Sequence, residues 1–213
     1  MSTMLARTLR SEHGFTLTEL LVSMAVIAFI LAGMLTLQIT GQETYLTGSN
    51  QVESQEAGRI ALQRMIAEIR SAGTDPPGVT AAQPPPWTKI VNASATAFTI
   101  QNDWDSTVTI NNAVTVNVNG TLRGEQVAYS LNGATLQRRE FGIDATPQVV
   151  IDGVDALTFT YYDVNNTVIA NPGANAASIR SLGITLRTRP TDQPAVTRGR
   201  VWVTMDDRVR IRN

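Results

Sequence analysis

The sequence predicts an α+β fold, with one long N-terminal helix packed on an antiparallel β-sheet domain. Three observations carry that expectation. An apolar run opens near the N-terminus. An apolar stripe at helical spacing follows it and ends at a glycine. From residue 88 onward the residues alternate at the period of strands. The 213 residues suffice for one anchor and one domain of roughly 140 residues.

The helix is expected over residues 15–72. Leu20 to Leu37 is 18 residues, about 27 Å as a helix, close to the thickness of a bilayer core. Met24 to Leu35 is apolar without a break, with Gly33 inside it. Gly41 and Gly48 fall in a polar stretch, Gln38 to Gln51. Each interior glycine costs about 1 kcal/mol of helix stability relative to alanine. Two forms stay open there: a segment that loosens, or a continuous helix that tolerates both glycines. If unbroken, residues 15–72 would extend about 87 Å, longer than a domain is wide. Leu62, Met65, Ile66 and Ile69 fall at i, i+3, i+4 and i+7, a stripe suited to covering a core. Arg59, Gln63, Arg64, Glu68 and Arg70 lie mostly off it. Gly73 and then Asp75-Pro76-Pro77-Gly78 form a stop.

Residues 74–87 read as a Pro-rich linker ending in Pro84-Pro85-Pro86-Trp87, stiff and extended. Trp87 reads as a core or sheet-edge aromatic. Strands are expected at Ala97–Gln101, Val108–Val118, Gln126–Leu131, Thr135–Arg139, Ala156–Tyr162, Ile179–Thr188 and Arg200–Met205. Val127, Tyr129 and Leu131 share one face of their strand; Leu157, Phe159 and Tyr161 share one of theirs. Ile184 pairs with Leu186, and Val201, Val203 and Met205 lie together. Asn132-Gly133 signals a hairpin and Asn165-Asn166 a turn. Short strands with short turns suggest an antiparallel sheet with one face on the amphipathic half of the helix.

Composition excludes several chemistries. The net charge is −1, with no basic excess that would argue for nucleic acid or anionic lipid. There is no cysteine, and the single histidine is His13. From residue 15 onward, Ser-His, Cys-His and His-metal chemistry therefore lack their residues. No carboxylate pair has a spacing that demands acid–base work. Arg7 and Arg10 precede the apolar run, which favours leaving that end in the cytoplasm and sending the rest outward. An ordinary secretory signal would place a small-residue cleavage site after the apolar core, before a polar mature start; none is found.

Within the run Gly14-Phe15-Thr16-Leu17-Thr18-Glu19-Leu20-Leu21-Val22, one carboxylate, Glu19, sits in a stretch otherwise fit for lipid. An ionisable group there is expensive and marks a functional site. The run resembles the N-terminal signal of type IV prepilins and of the prepilin-like subunits of type II secretion, closely so over residues 12–37. The resemblance implies that a peptidase cuts between Gly14 and Phe15 and that the new amine of Phe15 is methylated. It also implies that Glu19 meets the N-terminal amine of a neighbouring subunit in assembly. Thr18 departs from the family, which more often has an aliphatic residue there. Many major pilins close a C-terminal loop with a disulfide; lacking cysteine, this chain is placed nearer the minor pilins and pseudopilins. Ala57 to Gly73, AGRIALQRMIAEIRSAG, and Val150 to Tyr161, VIDGVDALTFTY, are similar to segments of PilW-like minor pilins and J-type minor pseudopilins.

These resemblances imply a division of the chain into a cleaved leader (1–14), a transmembrane and assembly half of the helix (15–40), an amphipathic half (41–73), a Pro-rich linker (74–87) and a β-rich globular domain (88–213). The implied protein is a non-enzymatic minor pilin that initiates or caps a type IV pilus. The alternatives are a J-type minor pseudopilin of a type II secretion system, or a pilus-tip binding module for DNA or surfaces. Expected partners are the prepilin peptidase, other minor pilins, the major pilin and the inner-membrane assembly platform. Neither DNA, a small-molecule substrate nor a cofactor is expected. The expected location is the bacterial inner membrane, single-pass with the domain in the periplasm, and then the filament tip.

Residue chemistry bears on the remaining charged groups. Asn102-Asp103-Trp104-Asp105 offers oxygen ligands at close spacing but lacks the EF-hand pattern, so a solvated turn is expected and no metal. Asp152 with Asp155, and Asp206 with Asp207, read as turn and surface acids. Arg180 to Arg212 holds eight arginines against three aspartates. Arg208, Arg210 and Arg212 would share one strand face. A solvated edge protected by charge, an acidic neighbouring subunit and DNA phosphate all fit that pattern.

Overall fold

A computed structural model describes residues 14–73, 88–105, 110, 115–190 and 202–211. The remainder of the leader, the Pro-rich linker with Trp87, most of the expected strand over Val108–Val118, and Val201 lie outside the described residues, as does Arg212. Two compact units divide the chain, Met1–Leu46 and Thr47–Asn213.

Helix α1 runs unbroken over Leu17–Ser71, through both Gly41 and Gly48. Within the first unit its side chains from Leu17 to Gln42 are all exposed. It is long and apolar enough to cross a membrane. The hydroxyls of Thr36, Thr40 and Thr44 donate to the carbonyls of Ala32, Thr36 and Thr40 at 2.9, 3.0 and 2.9 Å. This back-bonding satisfies each hydroxyl without water.

In the second unit the helix turns one face inward. Leu62, Met65, Ile66 and Ile69 are all buried, as their spacing predicts. The buried face begins earlier, with Ser54, Gly58 and Ala61. These small residues let the backbone approach the sheet. A Cβ on Gly58 would fall on the Met205 side chain, and Thr188 Oγ1 donates to the Ser54 carbonyl at 3.1 Å. Gly73, at φ +78°, ends the helix. Its N–H donates to the carbonyl of Gln101 at 2.9 Å, tying the helix end to a strand.

The β structure forms more than the one sheet expected. Strands β1 (Ile90–Val91), β2 (Ala97–Gln101), β5 (Gln126–Asn132), β6 (Thr135–Glu140) and β7 (Gln148–Ile151) form a five-stranded sheet in the order β1-β2-β5-β6-β7. A second sheet, β10-β9-β8, comprises β8 (Val154–Tyr162), β9 (Ser181–Thr188) and β10 (Val203–Arg210). The pair β3 (Thr115–Val118) and β4 (Thr121–Gly124) makes a separate ribbon. All pairings are antiparallel.

The hairpin between β5 and β6 shifts by one residue from its expected dipeptide. Asn132 pairs with Thr135, so Gly133-Ala134 is the loop, and Gly133 takes φ +60°. Glycine at the first loop position suits a type II′ connection. The Asn165-Asn166 turn forms as expected, with Asn166 at φ +63°. Asp163 Oδ1 accepts from the N–H groups of Asn165 and Thr167, both at 2.8 Å.

One core joins the two larger sheets and the helix. Phe98 on β2 stacks on Tyr129 of β5 at 5.4 Å and meets Phe159 of β8 edge-on at 4.8 Å. These contacts join the two sheets by the favoured aromatic geometries.

Candidate assembly site

At the N-terminus, Thr16 is the helix cap and Glu19 the third helical residue. Glu19 Oε2 accepts from Thr16 N–H at 2.9 Å and from Thr16 Oγ1 at 2.9 Å. Glu19 N–H donates to Thr16 Oγ1 at 3.3 Å. This reciprocal pair is a capping box, which satisfies two otherwise orphaned donors. Thr16-Leu17-Thr18-Glu19 carries its Thr-x-x-Glu pattern in plain sight, and it is the signal that explains Glu19's local geometry. Thr18 Oγ1 lies 3.1 Å from Thr16 Oγ1 and joins the cluster. Phe15 and Glu19 are both exposed, next to the capped turn. A Cβ on Gly14 would meet nothing within 4 Å, so no packing among the described residues calls for glycine there.

A second polar centre lies in the domain, and the sequence reading missed it. Inward positions of β6 are Leu136, Arg138 and Glu140. Arg138 Nε donates to Glu68 Oε1 at 2.9 Å, and its Nη2 donates to Glu140 Oε2 at 2.7 Å. Asp144 lies 3.6 Å from Arg138 Nη1. Tyr129 Oη donates to Glu68 Oε2 at 2.7 Å. Burial works against the Arg138 charge, but its bonds to Glu68 and Glu140 outweigh that and raise its pKa overall. Burial, then the Glu68 charge, pushes the Tyr129 hydroxyl well above the usual tyrosine range. These groups fix α1 to the sheet.

The acids of 102–105 are not the solvated turn expected. Asp103 is 3% exposed and Glu125 0%, while Asp105 is exposed. Their carboxylates lie within 4.8 Å of one another. Such oxygens suit a hard cation. Each acid already has a polar partner; Glu125 Oε1, for one, accepts from Trp104 N–H at 3.3 Å. Glu125 joins through the fold alone, 20 residues after Asp105 in sequence.

The other charged residues are also more engaged than their sequence positions suggest. Asp155 lies on β8 and pairs with Arg187 of β9 and with Arg189 at 3.8 Å, so it is not a turn acid. Asp152 accepts from Thr135 Oγ1 at 2.7 Å. Asp206 and Asp207 are exposed within β10. Arg208 and Arg210 do share the exposed face of β10.

Comparison with known proteins bears on the N-terminus. A family profile described as "Prokaryotic N-terminal methylation motif" matches residues 9–35. Those residues hold Gly14, Phe15, the capping box and the first part of α1. Among solved structures, a type IV-like pilin from Thermus thermophilus aligns with 13% sequence identity and a TM-score of 0.42, over 74% of this chain and 96% of that one.

Proposed function

We propose that this type IV pilin-like protein is a non-enzymatic minor pilin that waits in the inner membrane and then joins the complex that initiates or caps a pilus. The observation that carries the reading is the methylation motif over residues 9–35, set at the start of a helix fit to span a bilayer. In this reading, cleavage after Gly14 exposes the amine of Phe15 beside Glu19. Residues 15–40 hold the subunit in the membrane, and the β-rich domain stands in the periplasm. Glu19 then sets register by charge pairing with the amine of a neighbour. The local capping box gives the carboxylate a partner until that neighbour arrives, which reduces the cost of holding it near hydrocarbon.

Processing is tested by changing Gly14 to a bulky residue. Mass spectrometry of the membrane-extracted protein should then find the leader attached. A mature N-terminus at Phe15 in that variant would reject the processing assignment. Assembly is tested with Glu19→Ala, compared with wild type by co-purification with minor subunits and by filament output. Cleavage and insertion should persist while recovery of partners falls. Equal recovery with normal filaments would reduce Glu19 to a helix-end residue. Loss of protein secretion with piliation intact would move the subunit to the J-type pseudopilin role.

A further inference from the structure

One end of the three-stranded sheet carries a cleft of about 350 Å³, whose lining includes Arg180, Arg208, Arg210, Ser181, Asn166 and Asp163. Register accounts for the convergence. Gly183 of β9 pairs with Thr160 of β8 on one side and Arg208 of β10 on the other; Ser181 pairs likewise with Tyr162 and Arg210. Gly183 has no side chain to occupy the sheet surface, and a Cβ there would come within 3.2 Å of the Tyr162 ring. The ring therefore settles beside Gly183, and the Arg208 guanidinium lies over it at 3.8 Å from the centroid. Stacking of this kind orients a guanidinium.

Hydrogen bonds hold Arg208 further. Its Nε and Nη2 donate to Ser181 Oγ at 3.1 and 2.8 Å, and Nη2 also donates to Asn166 Oδ1 at 2.8 Å. Both acceptors are neutral oxygens, so the charge is positioned without being neutralised. Arg180 Nη1 donates to the carbonyls of Ala177 and Ile179 at 2.8 and 3.0 Å, again neutral oxygens. Among the described residues no carboxylate pairs with Arg180, Arg208 or Arg210. Among the described residues the one acid in the lining is Asp163, whose Oδ1 is engaged by the two turn N–H groups. Three guanidinium charges thus face one carboxylate in a concave site, where walls of low dielectric concentrate the field.

We propose that this cleft binds an oxyanion of phosphate or carboxylate type. Guanidinium groups recognise both through paired N–H donors, and Arg208 arrives already oriented, so less side-chain entropy is lost on binding. Nothing in the pilin reading requires this site, and its test stands apart from that reading.

The full-length chain in neutral detergent micelles is titrated calorimetrically with inorganic phosphate and, separately, with citrate. Ionic strength is held constant with sodium chloride. Saturable binding above the chloride control is expected. Saturation by phosphate alone assigns a phosphoryl ligand, and by citrate alone a carboxylate ligand; each supports an oxyanion site. Arg208→Gln and Arg210→Gln should each weaken binding about tenfold. Arg210 is exposed, so its variant keeps the test valid if Arg208→Gln perturbs folding. Asp163→Asn keeps the turn acceptor, removes the opposing charge and should tighten binding severalfold, a change that damage to the turn would not produce. Absence of saturation with either anion overturns the proposal, as does saturation that neither arginine variant changes.

Discussion

Arg138 shows how much one residue can hold at this scale. It sits 6% exposed with Glu68 and Glu140 in direct contact. Removing the cation leaves buried carboxylates without compensation, which costs about 3–5 kcal/mol. Arg138→Met should therefore shift the urea midpoint of the domain strongly downward; an unchanged midpoint would show the network adds nothing. Tyr129 and Tyr161 give a pH dependence. Burial is the largest cause of the raised pKa in both. Unfolded tyrosine ionises near pH 10 while these two stay protonated in the fold, so above that pH the folded state binds more protons. Stability is then full below about pH 10 and falls above it, by about 1 kcal/mol per pH unit for each tyrosine. Melts of wild type, Tyr129→Phe and Tyr161→Phe between pH 9 and 11.5 should show the slope reduced in each variant. Glu19 stood out in the sequence as a lone carboxylate in an apolar run. Its capping partner was legible too, because Thr-x-x-Glu is a local pattern. Arg138 was not: Glu68, which it shares with Tyr129 of β5, lies on α1, 70 residues away in the chain, and nothing local in the sequence joins them.

At the scale of elements, α1 follows its pattern most closely. The stripe Leu62, Met65, Ile66, Ile69 is buried throughout. Leu62→Ala and Ile66→Ala should each cost about 2–5 kcal/mol in denaturant melts. Ile60→Ala, at a position 58% exposed, should fall within about 0.5 kcal/mol of wild type. A common response at all three positions would mean the stripe is not the core face. The inward role of Ser54 and Gly58 escaped the periodicity because small residues carry little hydrophobic signal; close approach to Met205 and Thr188 is what buries them. The glycines at 41 and 48 left two forms open from propensity alone, and the helix continues through both. Strand β10 runs to Arg210, beyond the expected end at Met205. The acids Asp206 and Asp207 read as a turn, yet backbone pairing with β9 through Ser181–Thr188 carries the strand past them.

At the scale of the whole molecule, the core belongs to the unit Thr47–Asn213. A chain beginning near Gly41 keeps every buried residue of α1. It should fold as a soluble monomer with both helix and sheet, as checked by circular dichroism and sedimentation. Aggregation or loss of the sheet signal would show that the first unit is needed for folding.

The sequence by itself determined the fold class, the helix stripe and its stop at Gly73, most strand positions and the N-terminal motif. Each of these is local: a period of 3.6 or 2, a turn residue, or a run of adjacent groups. Tertiary structure alone decided that the strands divide into two sheets and a ribbon. It also decided that Arg138 meets Glu68, that Glu125 joins Asp103 and Asp105, and that Arg208 stacks on Tyr162. Those outcomes depend on which strands become neighbours and in what register. Register is settled by burying many side chains at once, among them Phe98, Tyr129 and Phe159, whose positions in the chain do not show that they meet.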